Sequence, residues 1–245
     1  MDVTISTIAE RPELIDGLWA MSDSWPEFML HDPIGWSHFG RLPRTFADFT
    51  LIATDERGEV AARAHSIPFR RADNGTLPPN GWDQVLMQGF SDHLHGREPD
   101  TVSALDITIR SDLQGHGLSG ILLGGLRNNA AERGFRELVA PVRPSAKHRE
   151  PSTAMAEYAY RTREDGLPVD PWMRTHARAG AVVDSVAPTS MVITGSLEQW
   201  RAWTGLPFDT DGWVEVPGAL VPVRCAARHD YAVYVEPNVW MRHKL

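Results

Sequence analysis

Apolar and polar residues along the first part of the chain follow a helical period and then a strand period. Residues 12–31 place apolar side chains at helical spacing and predict two short helices, the second restarting at Ser24. Residues 46–68 alternate around a polar turn that ends in Gly58, and this pattern predicts a β-hairpin. A loop at residues 72–83 leads into another predicted helix. We therefore expect helices followed by a pair of antiparallel strands.

A further strand is predicted at residues 102–110, where the sequence VSALDITIR alternates. Successive side chains of a regular strand point to opposite faces of the sheet. One face is therefore expected to carry Leu105, Ile107 and Ile109. The opposite face is expected to carry Asp106, Thr108 and Arg110.

The segment after this strand predicts a crossover to a parallel neighbour. Apolar residues recur at helical spacing from Leu118 to Arg133, and Gly134 follows as a helix-ending glycine. Residues 136–142 then form a short apolar run typical of a buried strand. A strand, a helix and a second strand in so short a stretch form a β-α-β unit, whose two strands are parallel.

The last hundred residues are less regular. Residues 165–181 are rich in turn residues, and they are followed by a predicted strand, a short helix and a closing strand. No internal repeat or linker divides the chain, so we expect one domain over residues 1–245, with a core at 1–142 and an elaborated half at 143–245. The predicted fold class is α/β (α+β), with a mixed central β-sheet flanked by helices.

Composition and charge narrow the classes of protein. The 245 residues are 42% hydrophobic with a formal net charge of −8, and no apolar run is long enough for a membrane span. The acidic balance disfavours a general nucleic-acid binder. Cys225 is the only cysteine, which excludes an intramolecular disulfide and a cysteine-based zinc site. The first residues lack a signal-peptide pattern, and together these features predict a cytoplasmic protein with no membrane partner.

The run LQGHGLSG, between the predicted strand and the predicted helix, is the strongest chemical signal. Glycines in such a turn let an anion approach the backbone amides at the start of a helix. A nucleotide-binding P-loop requires a lysine and a Ser or Thr where Leu118 and Ser119 stand. Gly115, Gly117 and Gly120 have the spacing of a dinucleotide site, but that motif leaves the preceding glutamine unexplained. A tight connection without a ligand is the remaining alternative.

A third template fits this run best. The sequence QGHGLS followed by ILLGGLRNNAAERGF resembles the Q/R-x-x-G-x-G/A signature of the GNAT acyltransferase superfamily. The resemblance implies that acetyl-CoA or another acyl-CoA binds here and that no metal is needed. It implies that the pyrophosphate contacts the backbone of Gln114, Gly115, His116, Gly117, Leu118 and Ser119. It also implies that the pantetheine arm lies along the strand edge at Ile107, Thr108 and Ile109.

Acyl transfer to an amine requires a base for the amine and an acid for the leaving thiolate. By this resemblance the base is a carboxylate on the strand before the loop, and Asp106 occupies that position. A structural carboxylate that pairs within the sheet is an equal alternative. The acid is open between Tyr158 and Tyr160, because the usual motif after the last core strand is not clearly present. Either tyrosine could instead be a packing aromatic.

Three further groups of polar residues are open between an acceptor pocket, a ligand contact and a structural role. The first two groups are Asp170, Arg174 and His176, and Glu236, Arg242 and His243. The third is the basic cluster of Arg143, Lys147, His148 and Arg149. A solvated loop is the default for this cluster, and contact with the adenosine 3'-phosphate, a carrier protein or tRNA is the functional alternative.

The function predicted from the sequence is N-acylation of a small-molecule amine. The acyl group, taken as acetyl, passes directly from acyl-CoA to the acceptor in a ternary complex. Two alternatives remain open: a donor carried by a carrier protein or an aminoacyl-tRNA, and a CoA-binding sensor without turnover. The acceptor and the oligomeric state, including a homodimer, are not determined by the sequence.

Overall fold

The N-terminal segment forms short helices packed on the edge of a sheet. In the computed structural model, residues 2–21 and 25–245 are described, so the predicted helix start at Ser24 lies outside the described residues. Two short helices are present at Pro12–Leu18 and Glu27–His31, and both are 3-10 helices. Leu18, Phe28 and Met29 are their buried residues, so these turns are held mainly by burial of apolar side chains.

The first half of the chain builds five consecutive strands of the sheet. These are β1 (Thr4–Thr7), β2 (Thr50–Thr54), β3 (Val60–Phe69), β4 (Thr101–Ile109) and β5 (Glu137–Val142). The pairs β1–β2, β2–β3 and β3–β4 are antiparallel, and β2 and β3 form the predicted hairpin. The β4 and β5 strands are parallel, which confirms the predicted β-α-β unit.

The second half extends the same sheet. Its strands are β6 (Val182–Ser196), β7 (Gly212–Val214), β8 (Val223–Ala226) and β9 (Tyr231–Lys244). The β9 strand is antiparallel to β5, to β6 and to β8. Within residues 2–21 and 25–245 the order is β1-β2-β3-β4-β5-β9-β8-β7, with β6 also paired to β9. The predicted fold class, a mixed sheet flanked by helices, is confirmed.

Seven α-helices are present among the described residues, and three of them begin at a capping side chain. They are α1 (Pro33–His38), α2 (Leu42–Thr45), α3 (Gly81–Leu94), α4 (Leu118–Glu132), α5 (Met155–Tyr158), α6 (Pro171–Arg178) and α7 (Leu197–Thr204). The α6 helix corrects the turn-rich assignment of residues 165–181: the Asp170 side chain accepts hydrogen bonds from two first-turn amides, and Pro171 starts the helix. No helix in the described part of the chain is long and apolar enough to cross a bilayer.

Helices cover both faces of the sheet. The α4 residues Leu122, Leu123 and Leu126 pack with β-strand residues and with α5 and α6 on one face. The α3 residues Val85, Leu86 and Phe90 pack on the other face. A third cluster, around Trp200 of α7, lies against β6, β8 and β9. Helices therefore pack on both faces of the sheet around β4, as in other α/β proteins.

A β-bulge in β4 corrects the predicted alternation of its side chains. His65 on β3 pairs with Asp106, but the next residue, Ser66, pairs with Ala104, so Leu105 is an extra residue in β4. Leu105 packs in the α3 cluster, whereas Ile107 packs in the α4 cluster. Leu105 therefore does not share a face with Ile107 and Ile109, because the bulge turns it to the opposite side of the sheet.

Candidate active site

The turn between β4 and α4 exposes a row of backbone amides. Gly115 and Gly117 have φ angles of 81° and 80°, a left-handed conformation that favours glycine. Gly117 is the residue that precedes the first turn of α4. Among described residues, no acceptor receives a hydrogen bond from the amides of residues 115–119. We call residues 114–119 the glycine loop; its amides can bind an anion at the positive end of α4.

A cavity of about 710 Å³ opens where β4 and β5 separate. Only two residue pairs join these strands, Val102 with Leu138 and Ser103 with Val139. Beyond them, β4 residues 104–107 and residues 140–143 at the end of β5 line opposite walls of the cavity. Ser119 of the glycine loop also lines it. The cavity therefore connects the glycine loop with the interior of the sheet, through a gap that can admit a chain-like ligand.

Asp106 lines this cavity and is bound within the sheet at the same time. Its Oδ2 lies 3.3 Å from His65 Nδ1 and 3.4 Å from Arg63 Nε, and Thr108 Oγ1 donates to the same carboxylate at 3.1 Å. Burial raises the pKa of Asp106, but the hydrogen bond and charge from His65 and the charge of Arg63 outweigh it, so the pKa lies below its ordinary value. Asp106 is thus ionised and a weak proton acceptor near neutral pH.

The two tyrosines considered as the acid lie elsewhere. Tyr158 is buried in α5, its hydroxyl donates to Asp170 Oδ2 at 3.0 Å, and burial raises its pKa. Tyr160 is 56% exposed. Neither tyrosine lines the cavity. Their assignment as the acid remains a prediction, to which the geometry adds no support.

Three buried carboxyl groups interact beside the same cavity, and we call Asp32, Asp83 and Glu236 the acidic cluster. They lie before α1, in α3 and in β9, respectively. The charge of Glu236 raises the pKa of both aspartates, which places the three groups within electrostatic range. Asp32 and Glu236 line the cavity directly. Of the three, Glu236 was a candidate from the sequence, and the two aspartates were not.

Glu236 is fully buried, and both of its carboxylate oxygens accept hydrogen bonds. Arg143 Nε donates to both of its oxygens, at 3.1 and 2.9 Å, Tyr234 donates at 2.8 Å and Asn238 at 3.0 Å. The Arg143 guanidinium also lies over the Trp25 ring, 5.6 Å from its centroid. The negative charge of Glu236 is therefore compensated by Arg143 within the protein.

His176 is the other cavity residue from the first two predicted polar groups. Its Nδ1 lies 3.0 Å from His243 Nε2. Burial lowers the pKa of His176 to about 3 and that of His243 to about 4, so both rings are neutral near pH 7. Asp170 caps α6, and Arg242 pairs with Asp184 and Glu137. Of these two groups, Glu236 and His176 line the cavity, whereas Asp170 and Arg242 have structural contacts.

The predicted basic cluster does not form a basic surface. Arg143 pairs with Glu236, and Lys147 is buried with its Nζ donating to the carbonyl oxygens of Glu150, Pro151 and Leu220. His148 lines the cavity, and Arg149 alone of the four is classed as exposed. The default of a solvated loop is wrong for Lys147, because three carbonyl groups replace water around its ammonium group.

Aromatic rings surround the acidic cluster. Trp25, Trp36 and Trp82 all line the cavity; Trp36 is 84% exposed. The Trp82 indole N–H donates to the carbonyl oxygen of Leu105 at 3.0 Å, which fixes the ring beside the bulge. Large flat rings beside carboxylates form a surface suited to an organic cation. The helical spacing of residues 12–31 predicted two helices. It did not indicate that Trp25, which lies in this segment, lines the cavity.

Comparison with known proteins gives one relative that spans the whole chain. No protein-family model matches this chain. The chain is 32% identical over 274 aligned positions to the arginine N-acetyltransferase avaD of Aspergillus versicolor, covering 99% of this chain and 94% of that protein. This level of identity over nearly the full length of both proteins indicates common descent and a common fold.

Solved structures show the same fold at lower identity. The loading GNATL domain of CurA from Lyngbya majuscula superposes with a TM-score of 0.64 at 18% identity, covering all of this chain and 98% of that domain. The GNAT-like decarboxylase GphF, solved in complex with isobutyryl-CoA, has a TM-score of 0.53 at 14% identity and 99% coverage of its own chain. At such identities these likenesses support the fold alone.

Proposed function

Because the chain belongs to the GNAT superfamily of acyltransferases and is an N-acyltransferase, we propose that it transfers an acetyl group from acetyl-CoA to arginine or a small molecule that carries the arginine side chain. The assignment of the acceptor rests on the cavity, which runs from the glycine loop to buried carboxylates. A cationic acceptor complements that charge. The name of the 32% identical relative supports arginine in particular.

The donor is proposed to bind at the glycine loop and in the gap between β4 and β5. The free amides of residues 115–119 suit the pyrophosphate, as the sequence analysis proposed for Gln114 to Ser119. The pantetheine arm would follow the β4 edge towards Asp106, where β4 no longer pairs with β5. In the sequence analysis this arm was assigned to residues 107–109, and among these Ile107 lines the cavity.

The transfer replaces a C–S bond with a C–N bond and an N–H bond with an S–H bond. The acceptor nitrogen attacks the thioester carbon, the C–N bond forms and the C–S bond breaks, the nitrogen loses a proton and the thiolate gains one. Asp106 remains our proposed partner for the nitrogen's proton, but its low pKa limits it as a base, and its contacts with Arg63 and His65 also support the structural alternative. A pH profile of kcat/KM separates these roles, because a low-pKa base gives an acid limb below about pH 4.

We propose that the two halves of the chain act as one unit. Residues 1–142 supply the glycine loop and the β4 wall, while residues 143–245 supply Glu236 and His176. Asp32 and the nearby tryptophans belong to the first half, so the acceptor would be held from both sides. The predicted cytoplasmic location remains part of this proposal. The exposed basic surface that a carrier-protein or tRNA donor would need is absent from the described residues of the 143–149 cluster.

Release of free thiol from acetyl-CoA tests this function. The purified protein is incubated with acetyl-CoA and, separately, arginine, agmatine, lysine and citrulline, and each reaction is compared with one that lacks an acceptor. We expect thiol release with arginine or agmatine, and an acceptor mass increased by one acetyl group. The proposal would be contradicted if none of these acceptors increased thiol release from acetyl-CoA. Binding of CoA without transfer of the acetyl group would favour the sensor alternative.

A further inference from the structure

The two aspartates of the acidic cluster are each held by one oxygen only. Asp32 Oδ2 accepts from the amide of Gly35 at 2.6 Å, and Asp83 Oδ2 accepts from the amide of Val192 at 3.2 Å. Asp32 is 1% exposed and Asp83 is 7% exposed. The Oδ1 atom of each is buried and receives no hydrogen bond from any described residue. Two buried acceptor atoms therefore lack a fixed donor in this part of the protein.

The aspartates also interact with each other. Burial is the main cause that raises the pKa of Asp32 to about 6 and that of Asp83 to about 8, and the charge of Asp32 adds to the second shift. The facing groups are the amides of Ile34 and Gly35, the amide of Val192, and Glu236 with its partner Arg143. Near pH 7 the pair therefore holds one proton and one negative charge, because the charge on Asp32 disfavours ionisation of Asp83.

That negative charge has no cation within the described residues. Neither Asp32 nor Asp83 forms an ion pair with a lysine, arginine or histidine of residues 2–21 and 25–245. Arg143 is already bound to Glu236. A buried carboxylate without a partner is strongly unfavourable, so proteins either neutralise it or use it to bind a cation.

The surroundings select the kind of cation. Asp32 lines the cavity, and Trp82 lies beside it, since a Cβ at Gly35 would be 3.2 Å from Asp32 Oδ2 and 3.5 Å from the Trp82 ring. Trp25 and Trp36 line the same space. A guanidinium group donates in its plane to carboxylates and stacks its faces on aromatic rings, which a compact ammonium does less well.

We propose that Asp32, held in place by Asp83, binds the guanidinium group of the acceptor. The inference rests on the proposed function for the identity of the acceptor, and it makes Asp32 the residue that distinguishes arginine from neutral analogues. Asp83 acts through Asp32 and is a positioning residue.

Binding of L-arginine and L-citrulline, measured by calorimetry in the presence of CoA, tests this proposal. The two ligands share the amino-acid portion, and only arginine carries a charged side chain. We expect Asp32→Asn to weaken arginine binding ~10- to 100-fold, as for loss of a charge-assisted hydrogen bond, and to leave citrulline binding unchanged. Asparagine keeps the acceptor oxygen that caps α1, so folding should persist. Asp165→Asn, an exposed surface change, is the matched control.

Asp83→Asn separates positioning from binding. Its amide can donate to Asp32 and accept from Val192, so the preference for arginine over citrulline should remain. The wild-type protein should lose arginine affinity below about pH 6 and gain it above about pH 8, as the pair becomes neutral and then dianionic. Asp83→Asn should still lose arginine affinity below about pH 6, but it should no longer gain affinity above about pH 8. A merely structural Asp83 would leave both of these changes in place.

The wild-type pH series does not depend on any variant, so it decides the matter even if Asp32→Asn is unstable. Equal pH dependence for arginine and citrulline would overturn the role of Asp32. The same conclusion follows if Asp32→Asn binds arginine as the wild type does. Failure of the proposed function looks different, because the wild-type enzyme would then release no thiol with any guanidinium acceptor.

Discussion

The glycine loop and the acidic cluster are two polar regions beside one cavity, and they are built in opposite ways. The glycine loop presents backbone amides on an exposed turn, whose left-handed glycines are supported by contacts of the Gln114 and His116 side chains with nearby carbonyl oxygens. The acidic cluster presents buried side chains from three distant elements. A region made of backbone amides suits a ligand part that never varies, whereas a region made of side chains can change its preference through single substitutions.

The regions also differ in how they hold charge. The amides of the glycine loop carry partial positive charge that any phosphate can use. In the acidic cluster Arg143 compensates Glu236, and Asp32 with Asp83 keeps one negative charge that the described residues leave without a cation. We therefore expect changes at the loop to affect acetyl-CoA and changes at the cluster to affect the acceptor.

The largest effect should come from Arg143→Met in the acidic cluster. This change leaves the fully buried Glu236 without its cation, which typically costs about 3–5 kcal/mol of unfolding free energy. Denaturant unfolding measures the loss. Adding Glu236→Gln in the double variant removes the uncompensated charge and should recover a large part of the stability. Equal stability of the single and double variants would show that the pair is not energetically coupled.

Next in size is the effect of a methyl group in the glycine loop. Gly117→Ala forces alanine into a left-handed conformation, which costs roughly 1–2 kcal/mol. If the loop binds the donor in this conformation, KM for acetyl-CoA should rise about 5- to 30-fold, and KM for the acceptor should stay constant. Gly120→Ala adds the same methyl group where nothing lies within 4 Å and φ is not left-handed, and it is the control. A rise in acceptor KM alone would break the division between the two regions.

A smaller effect concerns stability and pH. The pKa of Asp83 is raised in the folded protein to about 8 from 3.8, so the folded state binds more protons than the unfolded state between these values. Stability from this carboxyl therefore falls as pH rises through that window. Asp83→Asn does not titrate, so its Tm relative to wild type should be several degrees higher at pH 8 than at pH 5. A Tm difference that is the same at both pH values would contradict the shift.

The smallest effects are expected at the two tyrosines outside the cavity. Tyr160→Phe should change neither kcat nor stability, because the side chain is exposed. Tyr158→Phe should cost ~1 kcal/mol through the lost hydrogen bond to Asp170 and leave kcat within about twofold. A fall in kcat of ~100-fold or more in either variant would restore a tyrosine as the acid.

The glycine loop was predictable because its signal is local. A strand, a glycine turn and a helix are contiguous in the sequence, and the fold confirms each of these elements. The bulge at Leu105 was not predictable, because it depends on the register of β4 against β3. The acidic cluster was missed because residues 32, 83 and 236 meet only through tertiary packing. Lys147 shows the same limit: its charge suggested solvent, and three carbonyl oxygens from the fold surround it instead.

A crystal structure of the protein with CoA and arginine tests the central claim most directly. The account predicts the pyrophosphate on the amides of residues 115–119 and the guanidinium within hydrogen-bond distance of Asp32 in the same cavity. Arginine bound outside this cavity, or bound within it but away from Asp32, would contradict the account. So would a pyrophosphate that does not touch the glycine loop.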